Sequence, residues 1–385
     1  IAMSDWSSDV CSSDLLEMLP MAYAIKAPAR YVQGPGELDN LGLNTKKIGT
    51  KFFTIVSASG QKRFGDRITA SLAQEEHTAE FSIFHGEATK EEVAAKIEEC
   101  RALGCDAVIG AGGGKVLDTA KAVADGLDLP CVIVPTAASN DAPCTSVAVL
   151  YNDAGVVIKA LVTKHDPELI LVDTELIAQA PERLFACGLG DALSTYFEAR
   201  ACKKNGVKCM ARGQVSNTGM MMARLCYDLL IQSGKKALDA VRNHEVNQDL
   251  ENAVEASIYL SGVGFVNGGL AVAHAVNDGL AYEPQCHGMY HGEKVSFGVM
   301  TQLVLENGDP EEFEQVKAFM KSTGLPMTLG QLGIKEINPE TLHKVAEIAA
   351  GPKESSKNLI PDITADDIYN AMLKADEIGR EYLAR

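Results

Sequence analysis

The chain predicts an α/β fold: an N-terminal, doubly wound, parallel-sheet domain followed by a mostly α-helical domain. Three observations carry this. From Phe52 onward, short apolar runs alternate with amphipathic stretches of helix length, which is the pattern of βαβ units. After Pro181, β-rich runs become few and helical periodicity dominates. Finally, 385 residues exceed the roughly 250–300 at which a single core stops growing. Two domains are therefore expected, residues 21–178 and 179–385, with the boundary near residue 178.

In chain order, FFTIVS reads as a strand and RITASLAQEE as its helix, then EFSIF with KEEVAAKIEECRALG, and DAVIGAGGG with VLDTAKAVADGL. CVIVPT is a further strand, and LILVDTELIAQAP closes this half. Consecutive units of this kind wind into a parallel sheet with right-handed crossovers. Beyond Pro181, PERLFACGLGDALSTYFEARAC, TGMMMARLCYDLLIQ and LENAVEASIYLSGVGF all carry helical periodicity. A crevice between the two halves is the natural place for a ligand.

Composition excludes several classes of function. Hydrophobic residues at 46% and charged residues at 23% describe a globular chain with a sizeable core. A formal net charge of -17 repels nucleic acid and anionic membrane surfaces, so neither is an expected partner. Ten cysteines without a CxxC pair read as reduced thiols and point to a cytoplasmic setting. No run approaches the roughly 20 apolar residues that span a bilayer.

The first residues stand apart. SDWSSDVCSSDL is acidic and serine-rich, holds the single tryptophan, Trp6, and lacks the features of a signal peptide. One choice of codons for Asp5 to Leu15 resembles a common sequencing-library adapter read in frame. Residues 1–20 are accordingly read as an adapter-derived, non-native tail, with Met18 or Met21 as the natural start.

The cluster Gly110-Ala111-Gly112-Gly113-Gly114-Lys115 follows an apolar run and precedes a helical pattern. Glycines let a backbone approach phosphate oxygens, and the following helix start offers free N–H groups. For a glycine cluster alone, a tight turn without a ligand is an equal reading. It is not a P-loop, because Ile109 and Val116 stand where Gly and Ser or Thr are required. Nor is it G-x-G-x-x-G, since Lys115 replaces the third glycine. The next strand runs into VPTAASNDAPCTS at the expected carboxyl edge of the sheet, where open α/β sheets bind ligands. Thr136, Ser139 and Asp141 are candidates there, although capping of the loop would use the same residue types.

Three of only 8 histidines fall in LAVAHAVNDGLAYEPQCHGMYHGEK. Taken singly, His274 and His291 read more readily as packed core residues than as ligands, and Asp191 as a helix-start carboxylate. Taken together, two imidazoles and a carboxylate have the composition of a catalytic Zn²⁺ site with a position left open.

The ordered motifs GAGGGKVLDTAKA, PTAASNDAPC, GLGDALSTYFEARA, SGVGF with GGLAVAHAV, and YHGEKVSFG resemble the glycerol dehydrogenases of the iron-containing (group III) polyol dehydrogenase family. The resemblance runs from about Ala27 to the C-terminus. It implies a dehydroquinate synthase-like pairing of a dinucleotide-binding domain with a helical metal-binding domain, and an octameric homo-oligomer. By the same resemblance, Asp191, His274 and His291 bind Zn²⁺, with Fe²⁺ as the alternative metal, and act in catalysis with Asp141. Asp141 and Phe265 meet a polyol substrate. Gly112, Gly113, Gly114 and Lys115 meet the NAD pyrophosphate, while Thr136, Ser139, Thr145, Val147 and Tyr151 line the cofactor.

Two positions depart from the family pattern. Ser57 stands where relatives usually carry an Asp that binds the adenosine ribose, which weakens discrimination against NADP. Asn277 replaces a second histidine, leaving His287 as a neighbour of the site. The competing activities within this fold, a glycerol-1-phosphate dehydrogenase and a dehydroquinate-synthase-like lyase, both handle a phosphate. Asp141 would repel it, and no basic cluster stands in the matching motifs.

Overall fold

The computed structural model describes residues 22–152 and 157–385, so the expected adapter-derived tail lies outside the described residues. In chain order the strands are β1 (Tyr31–Gly34), β2 (Lys51–Val56), β3 (Thr78–Ile83), β4 (Ala107–Gly112), β5 (Cys131–Pro135), β6 (Val147–Tyr151), β7 (Val157–Val162) and β8 (Leu169–Asp173). Among the described residues, six of them form one sheet in the order β1-β8-β5-β4-β2-β3, with every neighbouring pair parallel. β6 and β7 make a separate antiparallel hairpin.

Helices α1 (Leu41–Thr45), α2 (Ala58–Ala73), α3 (Lys90–Leu103) and α4 (Gly114–Leu127) connect the strands, and α5 (Thr174–Ala178) leaves the last one. Successive side chains on a strand point to opposite faces. Phe52 and Val56 accordingly pack with Phe64 and Ile68 of α2, whereas Phe53 and Ile55 pack on the other face with Leu117 and Val123 of α4. The predicted parallel sheet, covered on both sides, is thus the observed one.

The remaining elements are helices: α6 (Glu182–Lys204), α7 (Asn217–Asn243), α8 (Gln248–Val254), α9 (Ser261–Gly268), α10 (Val272–Leu280), α11 (His291–Glu306), α12 (Pro310–Thr323), α13 (Pro339–Ala349) and α14 (Ala365–Leu383). Their core is continuous with one face of the sheet, running from Phe53 and Ile133 to Phe297 and Met372. Among the described residues, no single helix is long and apolar enough to cross a membrane. The segments 248–268 and 272–280 reach that composition only jointly, across a bend of 104°, and Val263, Val266, Val272 and Val276 are buried in the protein.

Several local expectations need correction. LENAVEASIYLSGVGF is not one regular helix, because a π-helical stretch, Glu255–Leu260, lies between α8 and α9. The helix expected at RITASLAQEE begins earlier, at Ala58, because the Ser57 hydroxyl caps it by accepting from the Gly60 N–H at 3.1 Å. β1 and the hairpin escape a reading based on apolar alternation: β1 is short, and β7 is exposed at almost every position.

The strand order places a switch point beside β2. The chain leaves β2 for β3 on one side and returns past it to β4 on the other. A crevice opens at the carboxyl ends of such strands, and this is where the sheet receives a ligand.

Candidate active site

The half of the site expected to take the cofactor is one continuous turn. β4 ends at Gly112, Gly113 is the N-cap, and α4 begins at Gly114. A Cβ on Gly113 would meet nothing within 4 Å, so this turn is open to an approaching group. The first N–H groups of α4, with the positive end of its dipole, face that space. A cleft of about 550 Å³ is lined here by Ser57, Gly113, Gly114, Lys115, Asn140 and Tyr151, and also by Tyr290 and His291. The Lys115 ammonium pairs with Glu87 and lies 5.0 Å from the Tyr151 ring centroid.

The metal half is assembled from three helices of the second half. Asp191 lies in the middle of α6 and is 1% exposed; His274 is on the first turn of α10; His291 opens α11. One donor atom from each falls within 4.8 Å of the others. Asp191 Oδ1 is 3.6 Å from His274 Nε2 and 3.2 Å from His291 Nε2. Ligand bonds of about 2.0–2.1 Å in a tetrahedron give edges of roughly 3.3 Å, so this spacing suits Zn²⁺. Asp191 Oδ1 is buried without a hydrogen-bond partner, and such an orphaned acceptor fits a metal ligand.

Each ligand is held from outside. The Asp141 backbone N–H donates to Asp191 Oδ2 at 3.2 Å, which turns Oδ1 toward the imidazoles. Glu198, further along α6, accepts from His274 Nδ1 at 2.7 Å. At the start of α11, Glu293 caps the Tyr290 N–H at 2.7 Å and pairs with Arg183 of α6 at 2.7 and 2.8 Å. A Cβ on Gly292 would lie 1.9 Å from the Cys187 carbonyl oxygen, so only glycine lets α11 approach α6 this closely beside His291.

Charge is concentrated here. Burial, and then the charge of Asp191, push the Asp141 carboxyl up to about 7. For Asp191, burial favours protonation, but the two imidazoles outweigh it and hold the carboxyl well below the usual range. Burial opposes a proton on His274, yet Glu198 and Asp191 together raise its pKa well above the ordinary value. The carboxylates that hold that proton are equally suited to hold a divalent cation.

The structure brings most of the expected residues together. Ser261 Oγ lies 3.4 Å from Asp141 Oδ2 and 3.0 Å from Thr195 Oγ1, so Asp141 faces α9. The Phe265 ring stacks toward His274, with centroids 6.5 Å apart and planes at 13°. Gly113, Gly114, Lys115, Ser139, Tyr151 and His291 line the cleft, and Gly112 lies beneath it against Val116. Thr136, Thr145 and Val147 are not among the lining residues. The Thr145 hydroxyl faces the Ala142 carbonyl at 3.2 Å, and the Val147 carbonyl accepts from Lys121. His287 is exposed after a short 3₁₀ turn and stands outside the cluster, while Asn277 is buried and donates to Asp278.

Glu198, whose carboxylate meets His274 Nδ1, is a site residue that sequence reading missed. It follows Asp191 by two helical turns on the same face, within an apolar stretch, and that spacing is the available signal. Gln302, Ser261 and Asn140 carried no comparable signal, since their roles depend on which elements pack together.

Residues 28–174 match the family described as iron-containing alcohol dehydrogenase. Over 368 residues the chain is 41% identical to a glycerol dehydrogenase of Escherichia coli O6:H1, covering 93% of this chain and 98% of that protein. A glycerol dehydrogenase of Pseudomonas putida is 42% identical over 363 residues, 94% of this chain and all of that one. The crystal structure of glycerol dehydrogenase from Schizosaccharomyces pombe superposes with a TM-score of 0.90 at 33% identity, covering 94% of this chain and 92% of that chain.

Proposed function

The chain belongs to the iron-containing alcohol dehydrogenase family, and on that premise we propose that it is a zinc-dependent, NAD-linked glycerol dehydrogenase. It oxidises glycerol and related vicinal diols to dihydroxyacetone and the corresponding hydroxyketones, and runs the reverse reduction. The observation that carries this reading is the convergence of the Asp191, His274 and His291 donor atoms within 4.8 Å of one another, with His291 lining the same cleft as the glycine turn.

When bound, the cation supplies Lewis acidity toward an alcohol oxygen, lowering its pKa, and the dinucleotide accepts the hydride. The chain does the rest. Asp191 contributes one negative charge and His274 and His291 two neutral imidazoles, which leaves room for the two hydroxyls of a diol. Asp141 donates its backbone N–H to Asp191 and offers its carboxyl, which accepts from Ser261 Oγ at 3.4 Å, to a substrate hydroxyl. With its pKa pushed up to about 7, that carboxyl can take or give a proton near neutrality. Phe265 covers one side of His274 with an apolar ring and excludes water there. Gly113, Gly114 and the start of α4 hold the pyrophosphate, with Lys115 beside it.

A phosphorylated substrate fits this cleft poorly. Among the described residues, Lys115 is the one lysine or arginine lining it, and it is already paired with Glu87. Reduced dinucleotide should accumulate with glycerol and NAD in the zinc-loaded enzyme, and no phosphate should be released from a phosphorylated substrate. His274→Ala should lose metal and turnover while binding the dinucleotide normally; full turnover in metal-free His274→Ala protein would refute the proposal.

A further inference from the structure

We propose that Glu198 is a positioning residue that sets the ring tautomer of His274, and so turns the Nε2 lone pair toward the metal; the inference rests on the zinc reading above. The geometry is specific. Glu198 is fully buried and uses both carboxylate oxygens. Oε1 accepts from the backbone N–H groups of Ala271 at 2.8 Å and His274 at 3.0 Å. Oε2 faces His274 Nδ1 at 2.7 Å. With Oε1 taken up by two backbone donors, a carboxylate at Oε2 can only accept, which favours the tautomer with the proton on Nδ1. Nε2, 3.6 Å from Asp191 Oδ1, is then the nitrogen left to give up its proton and bind a metal.

The neighbouring donors make the arrangement rigid. The chain breaks at Gly269, with φ of 88°, and α10 restarts without a side-chain cap of its own. Its first free N–H groups are met instead from other helices. Glu198 of α6 takes those of Ala271 and His274, and Gln302 of α11 takes those of Val272 and Ala273 at 3.1 and 3.3 Å. The helices that carry Asp191 and His291 therefore also hold the one that carries His274.

This separates a positioning role from a capping role. In Glu198→Gln the amide oxygen must stay with the two backbone donors, because its NH₂ group cannot accept from them. The NH₂ then faces His274 Nδ1 and donates to it, which forces the proton onto Nε2, where the metal must bind. A residue that merely capped α10 would be replaced well by glutamine and poorly by alanine. Tautomer control predicts that glutamine is at least as damaging as alanine, since alanine leaves the ring free to adopt either form.

The test is zinc affinity, measured on the full chain by competition with a chromogenic chelator, with thermal unfolding of the metal-free proteins alongside. Glu198→Gln should bind zinc about 10–100-fold more weakly than the wild type. Its metal-free unfolding temperature and its dinucleotide affinity should be unchanged. Glu198→Ala should bind zinc no more weakly than Glu198→Gln. Zinc affinity of Glu198→Gln within about threefold of wild type would overturn the proposal. Should Glu198→Gln not fold, zinc-loaded wild-type protein labelled with ¹⁵N-histidine decides: a proton on His274 Nδ1 with Nε2 shifted by the metal supports tautomer control, and a metal-bound Nδ1 overturns it. Failure of the wild type itself to bind zinc would instead remove the functional reading.

Discussion

The glycine turn and the metal cluster meet in one cleft but are built in opposite ways. Gly112 to Lys115 are contiguous and offer backbone N–H groups whose directions follow from a strand ending and a helix beginning. Asp191, His274 and His291 come from three helices and offer side chains; groups from other elements hold Asp191 and His274, and Arg183 of α6 ties down the start of α11 that carries His291. A local device of the first kind should tolerate change without structural cost. An assembled device of the second kind should couple function to packing.

The comparison is sharpened most by removing a ligand. Asp191→Ala should lose the metal and roughly 10³-fold or more of turnover, several kcal/mol of barrier at about 1.4 kcal/mol per tenfold. Dinucleotide affinity, read by fluorescence titration, should stay within about threefold. Chelation of the wild type should do the same and be reversed by added zinc. A parallel loss of dinucleotide binding would erase the distinction between the two halves.

Adding one methyl group on each side gives the next largest contrast. In Gly292→Ala the new Cβ would meet the Cys187 carbonyl oxygen at 1.9 Å and the Asp191 nitrogen at 3.0 Å. Both neighbours are backbone and cannot step aside, so α11 must shift. A cost of about 1–3 kcal/mol is expected, with a lower melting temperature and lower zinc content in the same protein. In Gly113→Ala the Cβ meets nothing, and φ of -85° suits alanine. Its melting temperature should be unchanged, while the dinucleotide Kd rises about tenfold, or ~1.4 kcal/mol, because the methyl group occupies the approach to the turn. Equal effects of the two substitutions on stability would break the comparison.

The smallest effect is expected at Ser57, which lines the cofactor cleft and caps α2. Aspartate caps a helix as well as serine does, so Ser57→Asp should be neutral in thermal unfolding. Its negative charge should raise the ratio of kcat/KM for NAD over NADP by about five- to tenfold, the size of roughly 1 kcal/mol of like-charge repulsion. No change in that ratio would place the adenosine ribose away from Ser57.

Legibility in the sequence follows the same division. The β2, β4 and β5 runs are apolar because their strands are buried on both faces, so the parallel sheet could be read from FFTIV, VIGAG and CVIVP alternating with stretches of helix length. β7 could not be read, because its residues face solvent and carry no alternation. The candidate metal ligands were legible only through the ordered motifs, since His274 by itself is one histidine on an apolar helix. Glu198 stayed hidden although its spacing from Asp191 was available, because a glutamate near the end of a helix ordinarily reads as a solvated charge.

What the sequence by itself determined is the local order of things: where strands alternate with helices, where a glycine turn opens a helix, and which side chains could ligate a metal. Those depend on periodicity and on the chemistry of neighbouring residues. Tertiary structure alone decided that Asp191 Oδ1 is left without a partner, that Glu198 and Gln302 close the start of α10, and that Gly292 lets α11 rest on α6. Each of these depends on distances between segments far apart in the chain, and such distances are set by how the helices pack.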